Sequence, residues 1–119
     1  MTILVAVPES IEGSTALAAA AVEATLLETD LVVLNLGLSK ITEPALPSGV
    51  QVTLIERSGP GDREPAEVVL EYLNEHPEIS RLVIGIKRRT PVGKAVFGSV
   101  SQQLLLEAPV PVLAVKPAF

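Results

Sequence analysis

Residues 82–103 read LVIGIKRRTPVGKAVFGSVSQQ and carry the strongest fold signal in the chain. The first five residues, Leu82–Ile86, are apolar apart from one glycine, as in a strand that is buried on both faces of a parallel sheet. A basic loop with one proline follows, and Gly98-Ser99 then opens a segment with helical spacing. A buried strand, a loop and a helix in this order predict an α/β fold.

Four other segments also have the character of strands. Ile3–Val7 and Leu31–Leu36 are short and nearly all apolar, which favours positions inside a parallel sheet. Val50–Glu56 alternates in its first half, which indicates a strand near a sheet edge. Val110–Val115 contains Pro111, which has no amide donor for a strand ladder. This last segment is therefore predicted to be an edge strand.

Three helices are predicted between these strands, roughly over Ile11–Glu28, Glu64–His76 and Gly98–Glu107. Ser10 precedes the first and is the expected N-cap, and a proline follows each of the other two. Residues 37–49, GLSKITEPALPSG, have two prolines and no helical period. We expect a loop or a single turn there, so that the helix between the second and third strands is reduced or missing.

The resulting order, β-α-β-loop-β-α-β-α-β, predicts a three-layer α/β fold with a doubly wound five-stranded parallel sheet. Right-handed crossovers favour the strand order 3-2-1-4-5, counted along the chain. The length of 119 residues fits a single domain over residues 1–119. Since only 3% of the residues are aromatic, the core has to be built from Val, Leu, Ile and Ala.

Composition and charge exclude several classes of function. The formal net charge of −5 argues against nucleic-acid binding, which needs a basic face. No apolar run is long enough to suggest a membrane span, and MTILVAVPES does not resemble a signal peptide. A cytoplasmic location is the default expectation. The absence of cysteine rules out disulfides and thiolate metal sites.

A ligand is expected where the winding of such a sheet reverses, beyond the carboxyl ends of strands 1 and 4. Strand 1 leads into Pro8-Glu9, and strand 4 leads into the basic run Lys87-Arg88-Arg89. Gly85 would allow a close backbone approach. Gly98-Ser99 opens a helix whose amides and dipole attract phosphate oxygens. The pattern therefore predicts an anion site; the other interpretation is a solvated basic loop, with Ser99 capping its helix.

Three other features of the sequence do not indicate a functional site. Gly93-Lys94 lacks the first glycine and the final Ser or Thr of a phosphate-binding P-loop. Lys116 follows strand 5 as in receiver domains, but the acidic pair and the phosphorylated Asp of that family are missing. His76 is the only histidine and falls at a helix end, where a cation is favoured for structural reasons. No metal or nucleophile–base constellation is evident and Glu9 is the only acid near the switch point, so we expect a protein that is not an enzyme.

The segment GIKRRTPVGKAVFGS, followed by VSQQLLLEAPVPVLAVKP, resembles the universal stress protein family. The resemblance extends from ILVAVPES to PVLAVKP and implies an adenine nucleotide alpha hydrolase-like fold. The nucleotide-binding branch has a motif of Gly, two residues, Gly, nine residues, and Gly followed by Ser or Thr. Gly85, Gly98 and Ser99 match three of its positions, and Arg88 replaces the second glycine. A guanidinium there could contact phosphate or fill the pocket itself.

The resemblance also implies a ligand and a set of contacts. ATP-binding members carry an Asp after strand 1, where this chain has Pro8 with Glu9 beside it, and an adenine contact at the end of strand 2, which corresponds to Leu36. ATP or AMP is thus a possible ligand, with a phosphate anion as the simpler one. The predicted ligand-binding residues are Pro8, Glu9, Leu36, Gly85, Lys87, Arg88, Arg89, Gly98, Ser99 and Val100.

Members of the family that bind no nucleotide act as regulatory dimers, often by pairing their fifth strands. Val110–Val115 is an apolar edge for which such pairing is physically sensible. The resemblance therefore implies a homodimer through this strand, and a regulatory or interaction homodimer without nucleotide is the alternative function. A monomer whose edge is blunted by Pro109 and Pro111 is the other interpretation.

Overall fold

The computed structural model describes residues 1–37, 39, 41, 49–56, 64–89 and 95–116. Much of the predicted loop 37–49 and the Gly93-Lys94 pair lie outside these residues. The described elements, in chain order, are β1 (Thr2–Val7), α1 (Ile11–Leu27), β2 (Asp30–Asn35), β3 (Val52–Glu56), α2 (Pro65–Glu75), β4 (Ile79–Gly85), β5 (Arg88–Arg89), β6 (Ala95–Val96), α3 (Ser99–Glu107) and β7 (Val112–Val115).

The main sheet has five strands in the order β3-β2-β1-β4-β7, and all of its pairings are parallel. Because β7 is its fifth strand along the chain, this arrangement confirms the predicted order 3-2-1-4-5. The predicted edges are also confirmed, since β3 and β7 lie at opposite ends of the described sheet. β5 and β6 form a separate two-stranded antiparallel hairpin that was not predicted, because two residues per strand leave no readable alternation.

The strand ends differ from prediction for local reasons. β4 begins at Ile79, three residues before the predicted start at Leu82. Ser80 and Arg81 interrupt the apolar run that carried the prediction, but the backbone of this segment still pairs with β1. β7 begins at Val112 rather than Val110, because Pro111 has no amide to donate. The carbonyl of Pro111 nevertheless accepts a hydrogen bond from the Leu82 amide at 3.0 Å. β3 similarly begins at Val52 rather than Val50.

Two hydrophobic cores lie on opposite faces of the sheet. Alternate residues of β1 supply both cores, since successive side chains of a strand point to opposite faces. One face is covered by α1, whose Ala16, Ala20 and Ala24 are fully buried and allow the helix to pack closely on the strands. The other face is covered by α2 and α3, which supply Val69, Leu73 and Leu104 among others. The sheet and its helices therefore form the three predicted layers.

Helix α1 is held at both ends. The side chain of Ser10 accepts a hydrogen bond from the Gly13 amide at 3.3 Å, which confirms Ser10 as the N-cap. Glu28 is the C-cap in a left-handed conformation with φ of 50°, so the helix ends one residue before the predicted limit. None of the helices in the described part of the chain is both long and apolar enough to cross a membrane.

Candidate functional site

The carboxyl ends of β1 and β4 lie side by side at the point where the winding of the sheet reverses. β1 pairs with β2 on one side and with β4 on the other, so Val7, Asn35 and Gly85 end neighbouring strands. We call this region the carboxyl edge. The residues that follow these strands include most of the predicted ligand-binding residues.

Gly85, at the end of β4, is packed against the first turn of α1. A β-carbon on Gly85 would lie 2.3 Å from the carbonyl oxygen of Glu12 and 2.9 Å from its carbonyl carbon. Gly13 makes an equally close approach, since a β-carbon there would lie 2.0 Å from the Pro8 carbonyl oxygen. The absence of a side chain at Gly85, which was predicted to allow the close approach of a ligand, thus allows α1 to pack closely on the sheet.

The amino end of α3 is tied directly to the end of β4. The Ser101 hydroxyl donates a hydrogen bond to the Gly85 carbonyl oxygen at 3.0 Å. The proton of this hydroxyl is therefore directed to the protein backbone. The bond places the first turn of α3 at the carboxyl edge, beside the strand that carries the basic run.

The helix α3 is capped by Gly98 and not by Ser99. Gly98 has φ of −70° and ψ of 163°, and no side chain makes a capping hydrogen bond there. Ser99 is the first helical residue and is exposed, and the first turn has no acidic residue. The positive end of the α3 dipole therefore has no carboxylate from its own first turn to offset it.

The basic run begins at the carboxyl edge and continues into the hairpin. Lys87 is exposed, directly after the buried Ile86, whose amide donates to the Val115 carbonyl oxygen at 2.9 Å. Arg88 pairs with Val96 and Arg89 with Ala95 through the backbone of the hairpin. The backbone of Arg88 and Arg89 therefore belongs to the hairpin, and whether the run binds an anion or is solvated stays a prediction.

Two of the predicted contacts, Leu36 and Val100, have side chains in the core. Leu36 is buried, and its amide donates to the Val7 carbonyl oxygen at 2.9 Å, which joins the ends of β1 and β2. Val100 is half-buried and packs against the core beneath α3. Their predicted role as ligand contacts stays a prediction.

A polar network covers the carboxyl edge on the side of β2 and β3. Asn35 is only 2% exposed, and its side-chain amide donates to the Glu56 carboxylate and to the Ser39 carbonyl oxygen, each at 2.8 Å. The Asn35 side-chain oxygen accepts from the Gly37 amide at 2.9 Å. The Ser39 amide donates to the Glu9 carboxylate at 3.3 Å, so this predicted residue holds the same segment.

Sequence reasoning missed Asn35, although a readable signal was present. Asn35 is the one strongly polar residue in the apolar run LVVLNL, and a buried amide in such a strand needs hydrogen-bond partners.

His76 lies at the C-cap of α2, just ahead of β4 and therefore at the end of the sheet opposite the carboxyl edge. In the described part of the chain, no three His, Cys, Asp or Glu residues are grouped so that they could hold a metal ion.

The sequence profile of the universal stress protein family matches residues 39–116, which is more than half of the chain. The chain belongs to the universal stress protein family. A universal stress protein from Mycolicibacterium smegmatis is 63% identical over 43 residues, which are 36% of this chain and 33% of that relative. The matched segment thus spans about a third of the relative.

Solved structures of universal stress proteins share the fold. A universal stress protein from Archaeoglobus fulgidus is 27% identical over 98% of both chains, with a TM-score of 0.67. A universal stress protein from the same organism in complex with dAMP is 24% identical over 98% of both chains, with a TM-score of 0.63. In the present universal stress protein, Gly85 of the family motif ends β4, Arg88 lies in β5, and Gly98 caps α3.

Proposed function

We propose that this universal stress protein is a stress-response module that binds a phosphate-bearing ligand at its carboxyl edge. The observation that carries the proposal is the hydrogen bond from Ser101 to the Gly85 carbonyl oxygen, which places the amino end of α3 beside the end of β4. A helix amino end and a neighbouring cation are a common combination for binding phosphate. Lys87 supplies the exposed cation and Ser99 an exposed hydroxyl.

An adenine nucleotide is the first ligand to test. The complex of a structural relative with dAMP and the match of Gly85, Gly98 and Ser99 to the family motif both support this choice. We propose a binding protein and not an enzyme. Lys87, Ser99 and the α3 amides would hold phosphate, while Pro8, Glu9 and the Leu36 backbone would lie on the nucleoside side.

The direct test is calorimetric titration of the purified protein with ATP, AMP, dAMP and inorganic phosphate at physiological salt, after its denatured supernatant has been assayed for carried-over nucleotide. We expect AMP or ATP to bind more tightly than inorganic phosphate. No binding by any of the four at millimolar ligand would contradict the proposal. Binding of all four with equal affinity would reduce it to a phosphate site without nucleoside recognition.

Arg88→Gly restores the glycine of the family motif. The direction in which this variant changes the affinity for ATP decides the role of Arg88. A gain in ATP affinity would mean that the arginine occupies ligand space, and a loss would mean that it clamps phosphate. Arg89→Gly is the matched control, because it removes the same charge one residue along the same strand. If the two variants change affinity equally, Arg88 contributes only its charge.

The second candidate function is a regulatory homodimer that pairs through β7. This strand lies at the edge of the described sheet and is bonded there to β4. The carbonyl oxygens of Pro111 and Val115 accept hydrogen bonds from the Leu82 and Ile86 amides on the β4 side. Because the backbone polar groups of successive strand residues point to alternate sides, those of Val112 and Ala114 face the open edge. Ala114→Pro would remove one outward amide and should convert a dimer that pairs through this edge into a monomer. Light scattering measures the change. A monomeric wild type would contradict this second proposal.

A further inference from the structure

The chain that follows β2 crosses the carboxyl edge and is attached to the end of β1. The Leu36 amide donates to the Val7 carbonyl oxygen at 2.9 Å, and the Ser39 amide donates to the Glu9 carboxylate at 3.3 Å. Gly37 packs on Glu9, since a β-carbon on this glycine would lie 2.7 Å from the Glu9 β-carbon. We call Leu36, Gly37 and Ser39 the β2 segment. It lies directly against the exposed Glu9 side chain.

The Asn35 side chain holds the β2 segment at two points. This side chain belongs to a residue that is only 2% exposed, so its polar atoms depend on partners within the protein. Its nitrogen donates to the Ser39 carbonyl oxygen and to the Glu56 carboxylate, each at 2.8 Å, and its oxygen accepts from the Gly37 amide at 2.9 Å. Both protons and the oxygen of the side-chain amide are thus used in this network.

The same bonds allow only one orientation of the Asn35 amide. If the group were flipped, its oxygen would face two acceptors, on Ser39 and Glu56, and its nitrogen would face the Gly37 donor. The bond to Glu56 is charge-assisted, and such bonds are roughly twice as strong as neutral ones. Glu56 therefore contributes strongly to the orientation in which Asn35 holds the β2 segment.

The strand register explains why Glu56 reaches Asn35 but not the phosphate side of the carboxyl edge. Asn35 lies beside Val7 on β1 and beside Glu56 on β3. β3 is three strand positions away from β4, a separation of about 14 Å at the usual spacing of strands. Because this separation exceeds the screening length of about 8 Å at physiological salt, the Glu56 charge has little direct effect on a phosphate beside Lys87.

We propose that Asn35 and Glu56 are positioning residues of the ligand site. Together they fix the β2 segment, and the Ser39 amide in this segment fixes the Glu9 carboxylate. This inference rests on the proposed function, in which Glu9 lies on the nucleoside side. An ionised carboxylate only accepts hydrogen bonds, so a fixed Glu9 favours ligands that carry a donor group in addition to their phosphate.

The effect on ligands is tested with Glu56→Ala, which removes both the charge and the acceptor. Glu56→Gln is the matched control, because its side-chain oxygen can still accept from Asn35. Glu56→Ala should raise the dissociation constant for AMP about fivefold, the size of one lost hydrogen bond. The constant for inorganic phosphate, which brings no nucleoside, should change less than about twofold. Calorimetric titration with both probes, below the melting temperature of each variant, measures the ratio of the two constants.

Amide hydrogen exchange, followed by NMR in the absence of ligand, tests the network itself. Glu56→Ala should accelerate exchange of the Gly37 and Ser39 amides about tenfold, because the β2 segment then opens locally. The Leu36 amide is the internal reference, since it is bonded to β1 and not to Asn35. Glu56→Gln should leave all three exchange rates near those of the wild type.

Three results would overturn the proposal. The first is unchanged exchange of Gly37 and Ser39 in Glu56→Ala. The second is faster exchange with an unchanged ratio of the constants for AMP and phosphate, because the network would then be structural only. The third is an equal effect of Glu56→Ala and Glu56→Gln, which would mean that the charge acts and not the hydrogen bond. A wild type that binds neither probe contradicts the proposed function instead, and exchange then decides whether Glu56 positions the β2 segment.

Discussion

The backbones of Gly85 and Glu12 meet at the carboxyl edge, where a β-carbon on Gly85 would lie 2.3 Å from the Glu12 carbonyl oxygen. A glycine that the sequence associates with a ligand is therefore also required by the packing of α1 on β4. Loss of ligand binding on its replacement would not by itself identify a ligand contact. Stability and binding have to be measured separately in every variant of this site.

Gly85→Ala should lower the free energy of unfolding by about 1–3 kcal/mol, because the new methyl group has to displace helix backbone. Gly98→Ala is the matched control, since a β-carbon there would meet nothing within 4 Å and the φ of −70° suits any residue. Its cost should stay within about 1 kcal/mol, the size of a cap effect. Urea titrations of the two variants provide the comparison, and equal losses would contradict the packing argument.

Two serines on the first turn of α3 should respond differently to removal of their hydroxyl groups. Ser101→Ala breaks the hydrogen bond to the Gly85 carbonyl oxygen and should cost about 1 kcal/mol of stability. Ser99→Ala removes an exposed hydroxyl and should leave the melting temperature almost unchanged while weakening binding of phosphate-bearing ligands. Thermal melts paired with calorimetric titrations test this. A lower melting temperature for Ser99→Ala alone would reverse the assignment.

Asn35→Asp should destabilise the protein by about 3 kcal/mol at pH 7, because it places a carboxylate against that of Glu56 and removes the shared donor. Urea titrations of the wild type and the variant measure the change. Adding Glu56→Gln to the variant should restore part of the stability, because it removes one of the two facing carboxylates, and no recovery would contradict this argument.

Tyr72 should ionise above pH 10.0, because burial disfavours the phenolate and the Glu78 carboxylate adds to this, so both raise its pKa. The folded state then binds its proton more tightly than the unfolded state. The stability contributed by the neutral phenol is complete below the unfolded pKa and is lost as the pH rises through the folded one. Tyr72 is the only tyrosine and the chain has no tryptophan, so absorbance at alkaline pH reports this group alone. Glu78→Gln should lower the midpoint only slightly, because burial is the larger cause.

The amino-acid sequence by itself determined the alternation of elements, the strand order and the two edges of the sheet. These follow from local features: apolar runs in β1, β2 and β4, helical spacing in α1–α3, and a proline ahead of β7. Short-range patterns and the handedness of crossovers leave few other arrangements of such a chain. The position of Gly85 and Gly98 at one edge also followed from topology.

Only the tertiary structure decided what the residues at that edge contact. The contact between the Glu12 backbone and Gly85, the bond from Ser101 to Gly85 and the bond from Asn35 to Glu56 join residues that are 16 to 73 positions apart. Local periodicity carries no information about which groups meet over such separations. The hairpin of β5 and β6 was likewise too short to leave a pattern in the sequence.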